Sequence, residues 1–227
     1  MIGIIGAMSL EIENLKSRLE NPVSEEISGA SFTRGRLFGR EVVLAVCGIG
    51  KCFAALCAEA MILRFSPEAV INIGVAGTLT DQLGIGDLAI GTDAVCHDLD
   101  TTPLGDPPGF ISGIGKVHLP LSKVLAERAE EVCGALGIRS RSGTIASGDT
   151  FVVDRAYKAM LSERYGAIAC EMEGQAIAQV CYMNQTPCLI LRSISDSIDG
   201  GASDYETFKY QAAETAGKIV AALLPKI

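Results

Sequence analysis

Residues 41–77 read EVVLAVCGIGKCFAALCAEAMILRFSPEAVINIGVAG and contain the unit that decides the fold. An apolar run over Glu41–Val46 predicts a strand, and the glycines after it open an alanine-rich helix that ends at about Phe65. A further strand is predicted over Ala69–Ile73, closed by a turn at Gly74–Gly77. A strand, a helix and another strand in succession indicate an α/β arrangement.

The same alternation continues in both directions along the chain. It predicts one α/β domain over residues 1–227, with helices on both faces of a mixed or mainly parallel sheet. Ligands of such folds bind beyond the carboxyl ends of the strands. The other predicted strands are Ile2–Ala7, Ser31–Leu37, Leu88–Val95, Ser140–Ser147, Ile168–Ala169 and Thr186–Ser195. The other predicted helices are Ser9–Leu19, Leu119–Leu136, Asp154–Glu163, Gln175–Met183 and Asp204–Leu224.

The composition argues against several classes of protein. Of the 227 residues 48% are hydrophobic, enough for a large core, yet no apolar run reaches the roughly 20 residues of a membrane helix. The first strand lacks the basic segment of a secretion signal, so we expect a soluble, cytoplasmic chain. The net charge is −8 and no basic run is present, which argues against a nucleic-acid partner.

The eight cysteines are scattered along the chain and form no Cys-x-x-Cys pair. None lies at zinc-binding spacing from either of the two histidines, so we expect no metal and no cofactor. We interpret the cysteines as small buried side chains of a protein from a reducing compartment.

Two acidic segments stand about one helix and one strand apart. The first, Ala-Cys-Glu-Met-Glu-Gly over residues 169–174, contains Glu171 and Glu173, and the second, Leu-Arg-Ser-Ile-Ser-Asp over residues 191–196, ends at Asp196. A third acid, Glu11, follows the N-terminal strand in the same way. Carboxylates at the ends of neighbouring strands converge on one cleft, where they act as acids and bases on a polar substrate.

Gly48-Ile49-Gly50-Lys51 resembles half of a phosphate-binding loop at the entrance to a helix. It lacks the third glycine of a dinucleotide fingerprint and the Gly-Lys-Ser/Thr of a P-loop. We therefore interpret these glycines as allowing the backbone to approach a neutral ligand closely.

Six segments, in order along nearly the whole chain, resemble the motifs of the nucleoside phosphorylase superfamily. In detail they resemble its hydrolytic branch, the 5′-methylthioadenosine/S-adenosylhomocysteine nucleosidases. The segments are Gly3–Met8 with Glu11, Gly48–Lys51, Asn72–Gly77, Ser147–Phe151, Glu171–Glu173 and Ser193–Asp196.

The resemblance implies a three-layer α/β sandwich, a homodimer, and cleavage by water of the bond between adenine and ribose. It implies that Asp196 protonates N7 of the leaving adenine and that Glu11 polarises the attacking water, with Arg192 nearby. Glu173 and Met172 would hold the ribose hydroxyls.

Among the substrate-binding positions that the resemblance implies, Phe151 stacks on adenine, the Val152 backbone contacts the edge of the base, and Ser195 orients Asp196. The others are Met8, Ile49, Val75, Gly77, Leu104, Glu171 and Tyr205.

Two further functions remain open from the sequence. A phosphorylase of this superfamily generally has an arginine just before the Gly-x-x-Gly turn, where this chain has Asn72, so water is favoured as the nucleophile. Arg192 and Lys51 keep the phosphate-dependent reaction as an alternative. A nucleoside-binding sensor on the same fold would be expected to lack at least one of the three acids, and this chain has all three.

The sequence departs from the nucleosidase pattern around the 5′ end of the substrate. Val75 stands where this branch often has a serine, and Leu104 where an aromatic side chain usually lines the 5′ pocket. Residues 105–110 form a shorter stretch without tyrosines, and Tyr205 is a candidate replacement for the lost aromatic surface. A shifted preference for the 5′ substituent is therefore a hypothesis.

The long loop His97–Ile114 and the helix Gly50–Phe65, which contains Phe53 and few charges, are candidates for a dimer face. Burial of these segments within one chain is the competing interpretation.

Overall fold

A computed structural model describes residues 1–227. The strands are β1 (Ile2–Gly6), β2 (Glu20–Ile27), β3 (Ala30–Leu37), β4 (Arg40–Val46), β5 (Ala69–Thr78), β6 (Leu88–Cys96), β7 (Leu119–Pro120), β8 (Ser140–Ser147), β9 (Ala167–Glu171) and β10 (Cys188–Asp196). The helices are α1 (Ser9–Lys16), α2 (Lys51–Phe65), α3 (Lys123–Leu136), α4 (Arg155–Tyr165), α5 (Gly174–Met183) and α6 (Ala202–Leu223).

All ten strands join one mixed sheet, which confirms the predicted α/β class. Strand β1 lies between β4 and β5 and is parallel to both, and the antiparallel strands β2, β3 and β4 extend the sheet to one edge. On the other side, β5 pairs with both β9 and β10, and the series β10, β6, β8, β9 returns to β5. Half of the sheet therefore closes on itself, a feature that the alternation of elements does not predict.

Alternate residues of the central strands build two cores on opposite faces of the sheet. In β1, Ile2 and Ile4 pack on one face with α1, α3 and α6, while Ile5 packs on the other with α2 and α5. This period of two is the geometry of a strand covered on both faces. The three layers that the family resemblance implied are present.

The pairing of β5 with β10 places two polar side chains inside the sheet. In this parallel pair Asn72 lies opposite Ile190, and Arg192 lies opposite Gly74. Asn72 and Arg192 are both buried and are joined by a hydrogen bond from the guanidinium to the amide oxygen. Gly74 lacks the side chain that would occupy this space, since a Cβ there would lie 2.9 Å from Arg192 Nη1.

The sequence analysis missed two strands, β2 and the two-residue β7. Strand β2 has mostly exposed side chains and contains Pro22, so it shows neither an apolar run nor alternation. It pairs only with β3, at the edge of the sheet, where a proline and a polar surface are tolerated. The predicted helix Ser9–Leu19 accordingly ends earlier, at Lys16, because the chain turns into β2.

Two other predicted boundaries were wrong. The predicted helix Leu119–Leu136 begins only at Lys123, because Leu119 and Pro120 form the short strand β7 against β6 and Ser122 caps the helix. The predicted turn Gly74–Gly77 is instead the second half of β5, which continues to Thr78 because β10 and β9 pair with it there. No helix is both long and apolar enough to cross a membrane.

Candidate active site

A cavity of about 360 Å³ opens where several strands end. Residues just after β1, at the end of β5, at the end of β9 and at the end of β10 meet around it, as the strand-end rule for α/β folds predicts. Side chains from the loop after β8 and from α6 complete the wall. The lining residues are Ala7, Met8, Glu11, Ile49, Val75, Ala76, Gly77, Thr150, Phe151, Val152, Cys170, Glu171, Met172, Glu173, Ser195, Asp196 and Tyr205.

Glu11 is held against the cavity by three backbone amides. Its Oε2 accepts hydrogen bonds from the N–H groups of Ala7 at 2.7 Å and Met8 at 3.0 Å, and its Oε1 accepts one from Val75 at 3.2 Å. Burial raises the pKa of this carboxyl, against the opposing effect of the Arg192 guanidinium and the backbone N–H groups. Because the backbone binds both oxygens, the carboxyl has one orientation and is well placed to act on a small molecule in the cavity.

Arg192 is a fully buried cation surrounded by acceptors. Its Nε donates to Glu171 Oε2 at 3.2 Å, its Nη2 donates to Glu171 and Asn72, and Nη2 lies 3.9 Å from Glu173 Oε2. Charges this deep require such partners, since an unpaired buried ion costs several kcal/mol. Arg192 therefore lies behind the glutamates and does not line the cavity, so it positions them and does not face a ligand.

Glu171 and Glu173, two residues apart, have opposite electrostatic environments. Burial opposes ionisation of Glu171, but the Arg192 guanidinium and the Ser147 hydroxyl outweigh it and lower the pKa of this carboxyl. For Glu173, burial and the nearby charge of Glu171 raise the pKa to about 7. Glu171 is thus the ionised partner of Arg192, whereas Glu173 exchanges a proton near neutral pH and suits hydroxyl groups, which donate and accept.

The N-terminus of α2 is occupied by carboxylates of the protein itself. The Gly50 N–H donates to Glu173 Oε1 at 2.9 Å, and the Lys51 N–H donates to Asp149 Oδ1 at 2.8 Å. Gly50 has a φ of 99°, a conformation that glycine adopts readily. These donors are therefore taken, which agrees with our interpretation that the glycine loop is not a phosphate site.

Asp196, the last residue of β10, is buried and held by two donors. Ser195 Oγ donates to its Oδ1 at 3.0 Å, and Lys158 Nζ lies 3.0 Å from its Oδ2. Gly77 leaves room for the carboxyl, because a Cβ at that position would lie 2.6 Å from Oδ2. Any larger residue at position 77 would displace the acid.

Two aromatic rings lie at the opening of the cavity. Phe151 and Tyr205 meet edge to face, with ring centroids 5.3 Å apart. The Tyr205 hydroxyl donates to Met8 Sδ at 3.2 Å. Phe151 is 44% exposed, so its ring is available to stack on a flat ligand. No cluster of three or more His, Cys, Asp or Glu side chains could hold a metal ion.

The sequence profile of the phosphorylase superfamily matches residues 1–225. This chain belongs to the phosphorylase superfamily.

The relatives of this superfamily member include nucleosidases of two kinds. A 5′-methylthioadenosine/S-adenosylhomocysteine nucleosidase of Shewanella pealeana is 35% identical over 228 residues, covering 100% of this chain and 99% of the relative. An aminodeoxyfutalosine nucleosidase of Campylobacter jejuni is 37% identical over 227 residues, with 100% and 99% covered.

A solved structure is equally similar. The crystal structure of the 5′-methylthioadenosine/S-adenosylhomocysteine nucleosidase from Neisseria meningitidis, in complex with methylthio-immucillin-A, has a TM-score of 0.95 and 34% identity. The similarity covers 100% of this chain and 99% of the Neisseria meningitidis chain. The assignment to the nucleosidase branch of the superfamily, made from the motifs, is confirmed.

The structure brings together all but two of the residues predicted for the site. Arg192 lies behind the glutamates, as described above. Leu104 lies in a short 3-10 turn, is 82% exposed and is not part of the cavity wall.

Lys158 was missed by the sequence analysis although a signal was present. On α4 it stands three residues before Leu161 and seven before Tyr165, and all three side chains are buried. A lysine on the buried stripe of a helix requires an acidic partner. Asn72 was noticed only as the absence of an arginine, and its bond to Arg192 required the pairing of β5 with β10.

Replacement of Glu173 by glutamine tests the raised pKa. In the folded protein this pKa is about 7, above the ordinary value of 4.5, so the folded state holds the proton more tightly than the unfolded chain. The stabilising contribution of the protonated Glu173 carboxyl to the free energy of unfolding is present below about pH 4.5. It is lost as the pH rises through about 7. We expect Glu173→Gln to become progressively more stable than the original protein over this range, by on the order of 3 kcal/mol at most.

Denaturant unfolding at several pH values measures this difference. Glu163→Gln, a matched change at an exposed position on α4, should show no such trend. A Glu173→Gln difference that stayed constant with pH would contradict the raised pKa.

Proposed function

We propose that this protein hydrolyses the N-glycosidic bond of 5′-substituted adenine nucleosides and releases adenine. The substrates on this proposal are 5′-methylthioadenosine, S-adenosylhomocysteine and related 5′-deoxyadenosine derivatives. The observation that carries the proposal is the convergence of Glu11, Glu173 and Asp196 on one cavity whose lining contains no lysine or arginine.

The base end of the substrate lies between Phe151 and Asp196. Adenine is a poor leaving group as an anion, so it requires a proton as the bond breaks. Phe151 stacks on the purine ring and the Val152 backbone contacts its edge. Asp196, oriented by Ser195, donates its proton to N7, and the electrons of the C1′–N9 bond go to the base.

The sugar end lies against the glutamates. As the bond breaks, C1′ develops oxocarbenium character, which nearby carboxylates stabilise, as in glycosidases. Glu173 and Met172 hold the ribose hydroxyls, and Glu11 accepts a hydrogen bond from the attacking water and takes up its proton. The backbone N–H groups on Glu11 keep the carboxyl aimed at this water.

Water is favoured over phosphate by the charge distribution. A phosphate dianion beside the ribose requires a free cation, and the buried guanidinium of Arg192 is already bound by Glu171 and Asn72. The ammonium of Lys51 is bound by Asp98 and lies outside the cavity wall. Carboxylates alone would repel the dianion.

Incubation with methylthioadenosine, with and without phosphate, tests the function. We expect free adenine and free methylthioribose at rates that do not depend on phosphate. Asp196→Asn should bind the nucleoside and lower kcat by about 10²–10⁴-fold, the usual contribution of a general acid. Strict dependence on phosphate would assign a phosphorylase, and unchanged adenine release by Asp196→Asn would contradict the assigned acid.

The 5′ substituent lies, on this proposal, at the apolar end of the cavity beside Met8, Ile49 and Tyr205. Because Leu104 is exposed and outside the wall, the 5′ end is open within one chain. Leu104 offers no aromatic ring at a position where this family usually has one, and residues 105–110 contain no tyrosine, which supports a preference broader than the methylthio group.

A substrate panel tests this preference. We expect at least one of S-adenosylhomocysteine, 5′-deoxyadenosine, adenosine and aminofutalosine to have kcat/KM within about tenfold of methylthioadenosine, because small apolar differences discriminate weakly. A preference for methylthioadenosine of well over about 100-fold against every other compound would contradict the broader preference for the 5′ substituent.

We further propose a homodimer that works in the cytoplasm, in nucleoside catabolism and methionine salvage. All eight cysteines are free thiols, which supports a reducing compartment. A group of large apolar side chains is exposed on α2, at the end of α5 and in the two loops that precede α2 and β7. An exposed apolar surface of this kind is typical of an interface. Its members are Ile49, Phe53, Leu56, Leu63, Leu104 and Met183.

Sedimentation at micromolar concentration tests the dimer. We expect twice the mass of one chain for the original protein and a shift to the monomer for Leu56→Glu, because a buried charge without a partner opposes association. Val124→Glu is the matched control, an exposed apolar side chain on α3 that lies across the sheet from α2. A monomer in the original protein would contradict the proposal.

A further inference from the structure

Lys158 is a buried cation that lies outside the cavity wall. Its side chain is 1% exposed, its Nζ lies 3.0 Å from Asp196 Oδ2, and it donates at 2.7 Å to the backbone oxygen of Ser197. Both hydrogen bonds of this ammonium thus go to the end of β10 and to the residue that follows it. The helix α4 places the cation directly behind the acid that faces the ligand cavity.

The surroundings of Lys158 leave Asp196 as its one contacting charge. The Cys170 thiol on β9 faces the same space, and burial raises the pKa of this thiol to about 12, so it stays neutral. Asp204 on α6 is half-buried and binds Ser197, so it acts on the ammonium only from a distance. Asp196 is therefore the one acid that forms a direct ion contact with this buried ammonium.

A buried pair of this kind is not explained by stability. Apolar residues of similar volume are often as stable as a buried ion pair, because both ions lose their hydration. Leu161 and Tyr165 share the buried side of α4 with Lys158 and belong to an apolar cluster, so an apolar side chain at position 158 would extend that packing. The position of the charge, behind the acid, indicates a role in the reaction.

We infer that Lys158 is a positioning residue that stabilises the carboxylate formed when Asp196 gives its proton to the leaving base. The inference rests on the proposed function and assigns a role to a residue behind the site. In this step the Asp196 O–H bond breaks, the N7–H bond forms, and the electron pair of the C1′–N9 bond goes to adenine. The negative charge left on Asp196 lies against an ammonium that is already in place.

The energetic advantage belongs to the transition state. An interaction accelerates the reaction only where it is stronger in the transition state than in the bound substrate. The attraction of Lys158 for Asp196 grows as the carboxyl loses its proton, and both side chains are buried, where charges interact strongly. Lys158 does not line the cavity, so it acts through Asp196 and does not donate to the substrate itself.

The test compares two leaving groups in Lys158→Met and Lys158→Gln. With methylthioadenosine we expect kcat to fall by about 10- to 100-fold with little change in KM, a part of the full effect of a general acid. With the 4-nitrophenyl glycoside of 5-methylthioribose, whose phenolate leaves without a proton, we expect both variants to retain the rate of the original protein. The Lys158→Gln side chain retains an N–H donor for the backbone oxygen of Ser197, so the loop after β10 keeps this hydrogen bond.

Two comparisons separate this role from structural damage. Arg155→Met is the matched control on the same helix, since Arg155 is exposed and pairs with Asp199 and not with Asp196. In the Asp196→Asn background, Lys158→Gln should cause no further loss, because the two residues act as one unit. Equal losses on both leaving groups, or losses that add to that of Asp196→Asn, would overturn the inference. Failure of the original protein to release adenine would instead refute the proposed function.

Discussion

The arrangement of this site depends on one buried guanidinium. Arg192 cannot reach water, so the fold surrounds it with Glu171, Glu173 and the amide oxygen of Asn72. The two glutamates differ in their pKa values. Glu171 also accepts a hydrogen bond from the Ser147 hydroxyl and has a lowered pKa, whereas the pKa of Glu173 is raised. A cation that would otherwise attract anions thereby becomes a support for two carboxyl groups with different protonation behaviour.

This constraint shapes the chemistry that the cavity offers. Since its wall contains no cation, the cavity suits a neutral nucleoside and a water molecule better than a phosphate dianion. The three acids reach it from three different strand ends, and each has its own support. Glu11 is bound by backbone N–H groups, Glu173 by Gly50, and Asp196 by Ser195 and Lys158. Acids with separate supports can take separate roles in one reaction.

Much of this could be predicted from local pattern. The alternation of apolar runs and helical segments indicates the α/β class, and carboxyl groups at strand ends indicate where the cavity lies. The edge strand β2 was not predicted because most of its side chains face solvent. Its sequence therefore lacks the alternation of apolar and polar residues that marks a half-buried strand. Leu104 was assigned to the cavity by its place in a motif, but its exposed position within one chain depends on how the loop folds back.

The sequence by itself determined the class of fold, the family, and the acids that stand at the strand ends. These follow from periodicity and from motifs of a few neighbouring residues, which local geometry governs. Only the tertiary structure decided which polar partner each buried charge meets. Arg192 with Asn72, Asp196 with Lys158 and Glu173 with Gly50 are separated by 120, 38 and 123 residues. Electrostatic pairing depends on distance in space and on burial, and neither can be derived from spacing along the chain.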